Sequence, residues 1–159
     1  MLSHGFVSSA LFLCIGMLYD RYKTRSFIYY GGLIRLMPVF SVFFFVFVLA
    51  NMAFPGTFNF IAEIFILLGL VGTDLFLGFF SGSSMVFSAA YCLSLYTNLV
   101  LLEINTFFVK YYSDVSKREF FMLSVLCVFV LFLGLFPNFV ILPVEGLAYN
   151  YSDFLRTFL

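Results

Sequence analysis

Charge is what this sequence has least of. Only 10% of its 159 residues are Asp, Glu, Lys or Arg, against about a quarter in a soluble domain. So few charges cannot cover a domain of this size with a water-facing surface. Tryptophan is absent, so an interfacial aromatic belt has to be made from the ten tyrosines. The three cysteines, Cys14, Cys92 and Cys127, lie far apart inside apolar runs. They have neither metal-ligand spacing nor the pattern of a disulfide framework, and read as small apolar residues at helix contacts or in lipid. Eight basic residues balance eight acidic ones, which excludes the basic surface of a nucleic-acid binder. A secretory signal carries its positive charge ahead of its apolar core; here Arg21, Lys23 and Arg25 follow the first apolar run. No phosphate-cradling loop, dinucleotide fingerprint or nucleophile beside a base occurs. The chain alone performs no redox or hydrolytic chemistry, and no cofactor is expected on it.

What fills the sequence instead is apolar. Hydrophobic residues make up 64%, with a mean hydropathy of +1.11 and 26 phenylalanines. A phenylalanine excess is what an A+T-rich gene encodes, and points toward a mitochondrial one. The class is all-α integral membrane, with about four transmembrane helices in residues 1–145 and an outer-side tail at 146–159. A membrane helix takes roughly 20 apolar residues. The candidate segments are about 1–19, 36–71, 84–109 and 120–142. The second is too long for one straight span.

That second segment is interrupted at Phe54-Pro55-Gly56-Thr57, with Asn51 and Asn59 on either side. Proline removes a backbone donor and clashes with the preceding turn, and glycine beside it allows further unwinding. The segment is therefore a hairpin of two short helices or one discontinuous helix that crosses once. Charge decides. A single crossing puts Arg21, Lys23, Arg25, Arg35, Lys110, Lys117 and Arg118 on one side and only Arg156 on the other. The positive-inside rule favours that arrangement, with both basic loops inside and both termini outside. Non-helical backbone at membrane depth is tolerated only where protein or a water-filled cavity satisfies it. Broken helices accordingly mark ion sites in transporters.

Glu63 lies about two turns beyond the break. An ionisable group within a membrane segment is a functional-site hypothesis by default; the bland alternative is a snorkelling or structurally paired glutamate. His4, the only histidine, suits proton exchange near neutral pH or, more plainly, hydrogen-bonded packing near the surface. Glu103 reads as surface-facing. Asp74, Glu145 and Asp153 read as solvated charges, and the basic loop residues as lipid-headgroup or subunit contacts. Gly78 and Gly82 form a weak small-xxx-small pair in what reads as a connection between helices. Asn150-Tyr151-Ser152 matches a glycosylation sequon too short to inform.

Taken in order, several motifs resemble one family. His4-Gly5-Phe6-Val7-Ser8-Ser9-Ala10-Leu11-Phe12-Leu13, then Leu18-Tyr19-Asp20-Arg21 and Thr24-Arg25, are similar to subunit 4 of NADH:ubiquinone oxidoreductase (respiratory complex I), an antiporter-like subunit. So are Tyr30-Gly31-Gly32-Leu33, Met37-Pro38, the run Ala50 to Thr57, Asn59-Phe60-Ile61-Ala62-Glu63, and Arg118-Glu119-Phe120. The resemblance covers roughly the first 70 residues strongly and the rest loosely. It implies a subunit of about fourteen helices with inverted repeats, of which this chain matches the last four. It also implies that Glu63 is the essential intramembrane glutamate of the second repeat and that His4 belongs to the central hydrophilic axis. Glutamate at 63 together with Ser8-Ser9 favours subunit 4 over relatives that carry lysine there. Ala62 departs from the usual glycine, and Leu101-Leu102-Glu103-Ile104 from a basic-aromatic helix ending.

The expectation is thus a proton-translocating membrane-arm subunit with Glu63 and His4 as the proton relay, in the mitochondrial inner membrane. Flavin, iron–sulfur clusters and quinone would bind other subunits. Its partners would be lipids and the other membrane-arm subunits, including a chain that supplies the missing N-terminal helices from a split gene. The rival expectations are a cation/proton antiporter component, or a structural assembly subunit with vestigial relay residues.

Overall fold

The computed structural model describes residues 1–103 and 113–146, and every regular element among them is helical. Helix α1 spans Leu2–Tyr22, the single turn α2 Leu33–Leu36, α3 Pro38–Asn51, α4 Phe58–Thr73, α5 Leu75–Tyr96 and α6 Lys117–Leu135. A 3₁₀ turn at Phe27–Tyr29 precedes α2, a π-helical turn at Thr97–Leu101 prolongs α5, and residues 138–146 are again helical. α1, α5 with its extension, and α6 are each long and apolar enough to cross a membrane; α3 and α4 are shorter. At 1.5 Å per residue, α3 and α4 measure roughly 21 and 24 Å, short of the roughly 30 Å hydrocarbon layer. Only in series can they cross it.

Their contacts with α5 show that they are in series. Along α5, Gly78 packs on Val71, Gly82 faces Leu67, Cys92 Sγ accepts from Asn51 Nδ2 at 3.2 Å, and Tyr96 meets the rings of Phe44 and Phe45. As the α5 number rises, its partner's falls, first through α4 and then through α3. Both halves therefore run opposite to α5 and in the same direction, which is one discontinuous helix rather than a hairpin. The break, 52–57, has two residues in the left-handed region, Ala53 (φ 56°) and Gly56 (φ 96°). Glycine adopts that conformation freely, whereas an alanine there is strained.

The core lies where α3 meets α1, α5 and α6, and phenylalanine builds it. Phe40, Phe44 and Phe47 are buried on α3 beside Ala10, Cys14 and Met17 of α1 and Leu123 of α6. Phe43 points instead to Phe120 of α6, with ring centroids 5.4 Å apart. Such pairs favour the edge-on geometry seen here.

One end of the bundle is a charged clasp. Arg21, in the last turn of α1, is bidentate to Glu119 of α6 (2.7 and 3.1 Å) and also donates to the carbonyls of Met17, Ser113 and Asp114. Glu119 closes a capping box with Ser116, the reciprocal arrangement that satisfies first-turn N–H groups. The Asp114 carboxylate accepts from the backbone N–H groups of Val39 (3.0 Å) and Phe40 (3.3 Å). It thereby caps α3 from a different loop, with its charge at the positive end of the helix dipole. Lys117 and Arg118 begin α6 here, so the described basic residues of the two loops share an end, as a single crossing requires.

The structure differs from the sequence reading at the third segment, which starts at Leu75 rather than near Ser84. Gly78, Ser81, Gly82, Ser83 and Ser84 mimic a loop in composition, yet the glycines let α5 approach α4. A Cβ at Gly78 would overlap Val71 Cγ2. The expected end of that segment near Val109, Lys110, most of the 146–159 tail, the Asn150 sequon, Asp153 and Arg156 lie outside the described residues.

Candidate functional site at the helix break

The break opens the helical ladder and leaves Thr57 at the cap position before α4, where its side chain does not cap the helix but folds back on the Phe54 carbonyl at 2.8 Å. Close behind lies Gly134 of α6. A Cβ there would fall on the Gly56 carbonyl and within 2.6–2.7 Å of the Thr57 backbone. Only glycine permits this approach, and α6 thus forms the wall behind the break.

From the break a polar line leads to Glu63. Ser3 Oγ, on α1, donates to Asn59 Oδ1 at 2.9 Å, and Asn59 Nδ2 donates to Glu63 Oε1 at 3.3 Å. Ser3 and Asn59 are 4% and 7% exposed, so this bond joins two buried polar groups that would be costly to leave unpaired. The four-residue spacing of Asn59 and Glu63 puts both on one face of α4. Glu63 is half-buried and lines an open-sided cavity of about 280 Å³ with Ile66 and Leu67 of α4 and Ser81, Ser84, Met85 and Ser88 of α5. A carboxylate held at one oxygen by an amide and facing a hydroxyl-lined space can take up and give back a proton.

His4 does not join this group. It sits next to Ser3 in sequence but on the exposed side of α1, and makes no hydrogen bond or ion pair with the described residues. Ser8 and Ser9 fold back on carbonyls of their own helix, at Gly5 and Phe6. Glu103 is exposed, as the sequence reading had it. Ala62 lines a groove with Phe58, Phe65 and Ile141, away from the Glu63 cavity. Sequence reasoning missed Ser3 and the α5 serines. The i, i+3, i+7 spacing of Ser81, Ser84 and Ser88 was the available signal. Among the described residues no three His, Cys, Asp or Glu side chains gather as a metal site would need.

A family model described as NADH:quinone oxidoreductase/Mrp antiporter, TM, matches residues 1–88. The chain is 47% identical over 138 residues to NADH-ubiquinone oxidoreductase chain 4 of Chondrus crispus, covering 87% of this chain and 28% of that protein. It is 43% identical over 157 residues to the chain 4 protein of Acanthamoeba castellanii, covering 97% and 31%. With NADH-quinone oxidoreductase subunit M of Rhodobacter capsulatus it shares 41% over 140 residues, covering 88% and 27%. Among solved structures it matches a chain of respiratory complex I from Thermus thermophilus with bound NADH. The TM-score is 0.78 at 28% identity, over 86% of this chain and 28% of that one. The chain thus spans less than a third of the length of these relatives.

Proposed function

The chain belongs to the NADH:quinone oxidoreductase/Mrp antiporter transmembrane family, and from that premise we propose that it is a proton-translocating part of the membrane arm of respiratory complex I, equivalent to the C-terminal portion of subunit 4. The observation that carries the reading is the line Ser3–Asn59–Glu63, which ties a carboxylate just beyond a helix break to a cavity lined by hydroxyls. Glu63 takes up a proton from one side and releases it to the other, driven by quinone reduction in other subunits. Asn59 holds one carboxylate oxygen, so the other is the atom that exchanges its proton. His4 is the second relay group. Lying apart from Glu63, it exchanges protons with groups beyond the described residues.

Flavin, iron–sulfur clusters and quinone belong to other subunits in this reading. The chain works in the mitochondrial inner membrane beside the other membrane-arm subunits and lipids. It also works with the sequence that makes up the rest of its relatives' length, whether on the same polypeptide or on a separate one. The similarity of 138 and 157 residues of this chain to chain 4 proteins of eukaryotes supports this over a free-standing antiporter.

The test is Glu63→Gln in the assembled complex. Proton pumping driven by NADH should be lost while the complex assembles and oxidises NADH with an artificial acceptor at the parental rate. Pumping at the parental rate would overturn the reading.

A further inference from the structure

Across the cavity from Glu63, α5 presents Ser81, Ser84 and Ser88. Their spacing of three and four residues places them on one helix face, and that face is turned to the carboxylate. Ser81 Oγ donates to the Gly78 carbonyl at 3.2 Å and Ser84 Oγ to the Ser81 carbonyl at 2.7 Å. A hydroxyl has one donor and two acceptor lone pairs, so both oxygens still have lone pairs free for the cavity. Ser88 Oγ has no hydrogen-bond partner among the described residues. Glu63 Oε2 likewise makes no bond, Asn59 being held by Oε1.

The space between has room and polar partners for water. A buried water needs about 10–15 Å³ of such volume and two to four polar partners. The cavity offers about 280 Å³, together with three hydroxyls and a carboxylate. The remaining lining, Ile66, Leu67 and Met85, is apolar and competes for none of those partners.

We propose that Ser81, Ser84 and Ser88 hold a file of water against Glu63 and that the proton of Glu63 travels along α5 through it. The inference rests on the proton-carrying role of Glu63 and adds its route. In each step the O–H bond of the carboxyl breaks as an O–H bond forms on the nearest water. That water passes a proton to the next, and the serine oxygens accept hydrogen bonds that hold the file in line. The serines are positioning residues: they orient the water that takes the proton.

The experiment compares three forms of the assembled complex: E63Q, the triple change S81A/S84A/S88A, and the same three serines changed to threonine. NADH oxidation with an artificial acceptor reports an intact redox arm. The triple alanine form should keep that activity and lose NADH-driven pumping several-fold, and the threonine form, which restores the hydroxyls, should recover it. Parental pumping in the alanine form while E63Q pumps nothing would overturn the route and leave the role of Glu63 standing. Equal loss in the alanine and threonine forms would also overturn it, because shape rather than the hydroxyl would then matter. Parental pumping in E63Q would remove the role and the route together. Should the triple form not assemble, the S88A and S88T pair decides by the same comparison.

Discussion

The two halves of the broken helix have nearly the same length and the same apolar character, yet they are used in opposite ways. α3 buries six of its 14 residues, among them Phe40, Phe44 and Phe47. α4 buries only Phe58 and Asn59 of its 16, both in the first turn. The N-terminus of α3 is capped by Asp114 from a neighbouring loop, while that of α4 has no side-chain cap. In a membrane, protein-facing and lipid-facing surfaces are equally apolar, because helices associate by packing and hydrogen bonding rather than by leaving water. Apolarity therefore says that both halves lie in the membrane, and only packing says which one is a strut. α3 is that strut. α4 is the less supported wall, and it carries Glu63.

The largest expected effects fall on different halves and in different measurements. Glu63→Gln on α4 should abolish pumping with little change in thermal stability of the assembled complex. Phe47→Ala on α3 should do the reverse of a selective lesion: Phe47 is fully buried, and emptying such a site costs about 3–5 kcal/mol. The matched change Phe65→Ala on α4, at a side chain 57% exposed within this chain, should cost less than Phe47→Ala. Denaturation of purified complex in a detergent series would read all three. Equal destabilisation by Phe47→Ala and Phe65→Ala would erase the distinction between strut and wall.

Next in size is Gly134→Ala. The added methyl would meet the backbone of Gly56 and Thr57, where nothing can rotate away, so the break or α6 must shift. Overpacking of this kind costs about 1–3 kcal/mol, and here it acts on the hinge between the halves. Both stability and pumping should fall. The same change at Gly5, where a Cβ meets nothing, is the control and should leave both intact.

Asp114→Asn should be milder, at about 1 kcal/mol, because an amide oxygen still accepts one N–H but brings no charge to the α3 terminus. Its effect belongs to the strut alone. Arg21 and Glu119 keep their own pair, so the clasp loosens at one point. Stability lost from α3 with pumping per surviving complex unchanged is the expected outcome. A selective loss of pumping would mean that the α3 terminus takes part in coupling.

Local signals made much of this legible in advance. Pro55 and Gly56 adjoin each other, Glu63 is the only charge for many residues on either side, and seven basic residues sort onto one side of a single crossing. Membrane class, the broken helix and the candidate carboxylate needed nothing more. The Asp114 cap was hidden because donor and acceptor are 74 and 75 residues apart, and capping signals are recognised within one segment. The α5 serines were hidden because Gly78, Ser81, Gly82, Ser83 and Ser84 have the composition of a connection, although in lipid small residues are what lets one helix approach another. The direction of His4 was hidden for a third reason: in a helix that is apolar all round, periodicity does not tell the buried face from the other.

α1 repeats the comparison on the scale of two adjacent residues, and there the expected effects are smallest. Ser3 points into the bundle and holds Asn59, while His4 points out of it. Ser3→Ala leaves the Asn59 oxygen buried without its donor, at a cost of about 1 kcal/mol, and frees Asn59 to rotate away from Glu63. Pumping should fall modestly along with stability. His4→Gln removes no hydrogen bond or ion pair within the described residues, so stability should stay within about 0.5 kcal/mol. Glutamine keeps hydrogen-bonding capacity but cannot carry a proton, so any loss of pumping isolates that one property. The loss should be smaller than for Glu63→Gln, since no bonded line joins His4 to the carboxylate. Pumping at the parental rate in His4→Gln would strike His4 from the relay and leave Glu63, with its partners Asn59 and Ser3, as the relay group among the described residues.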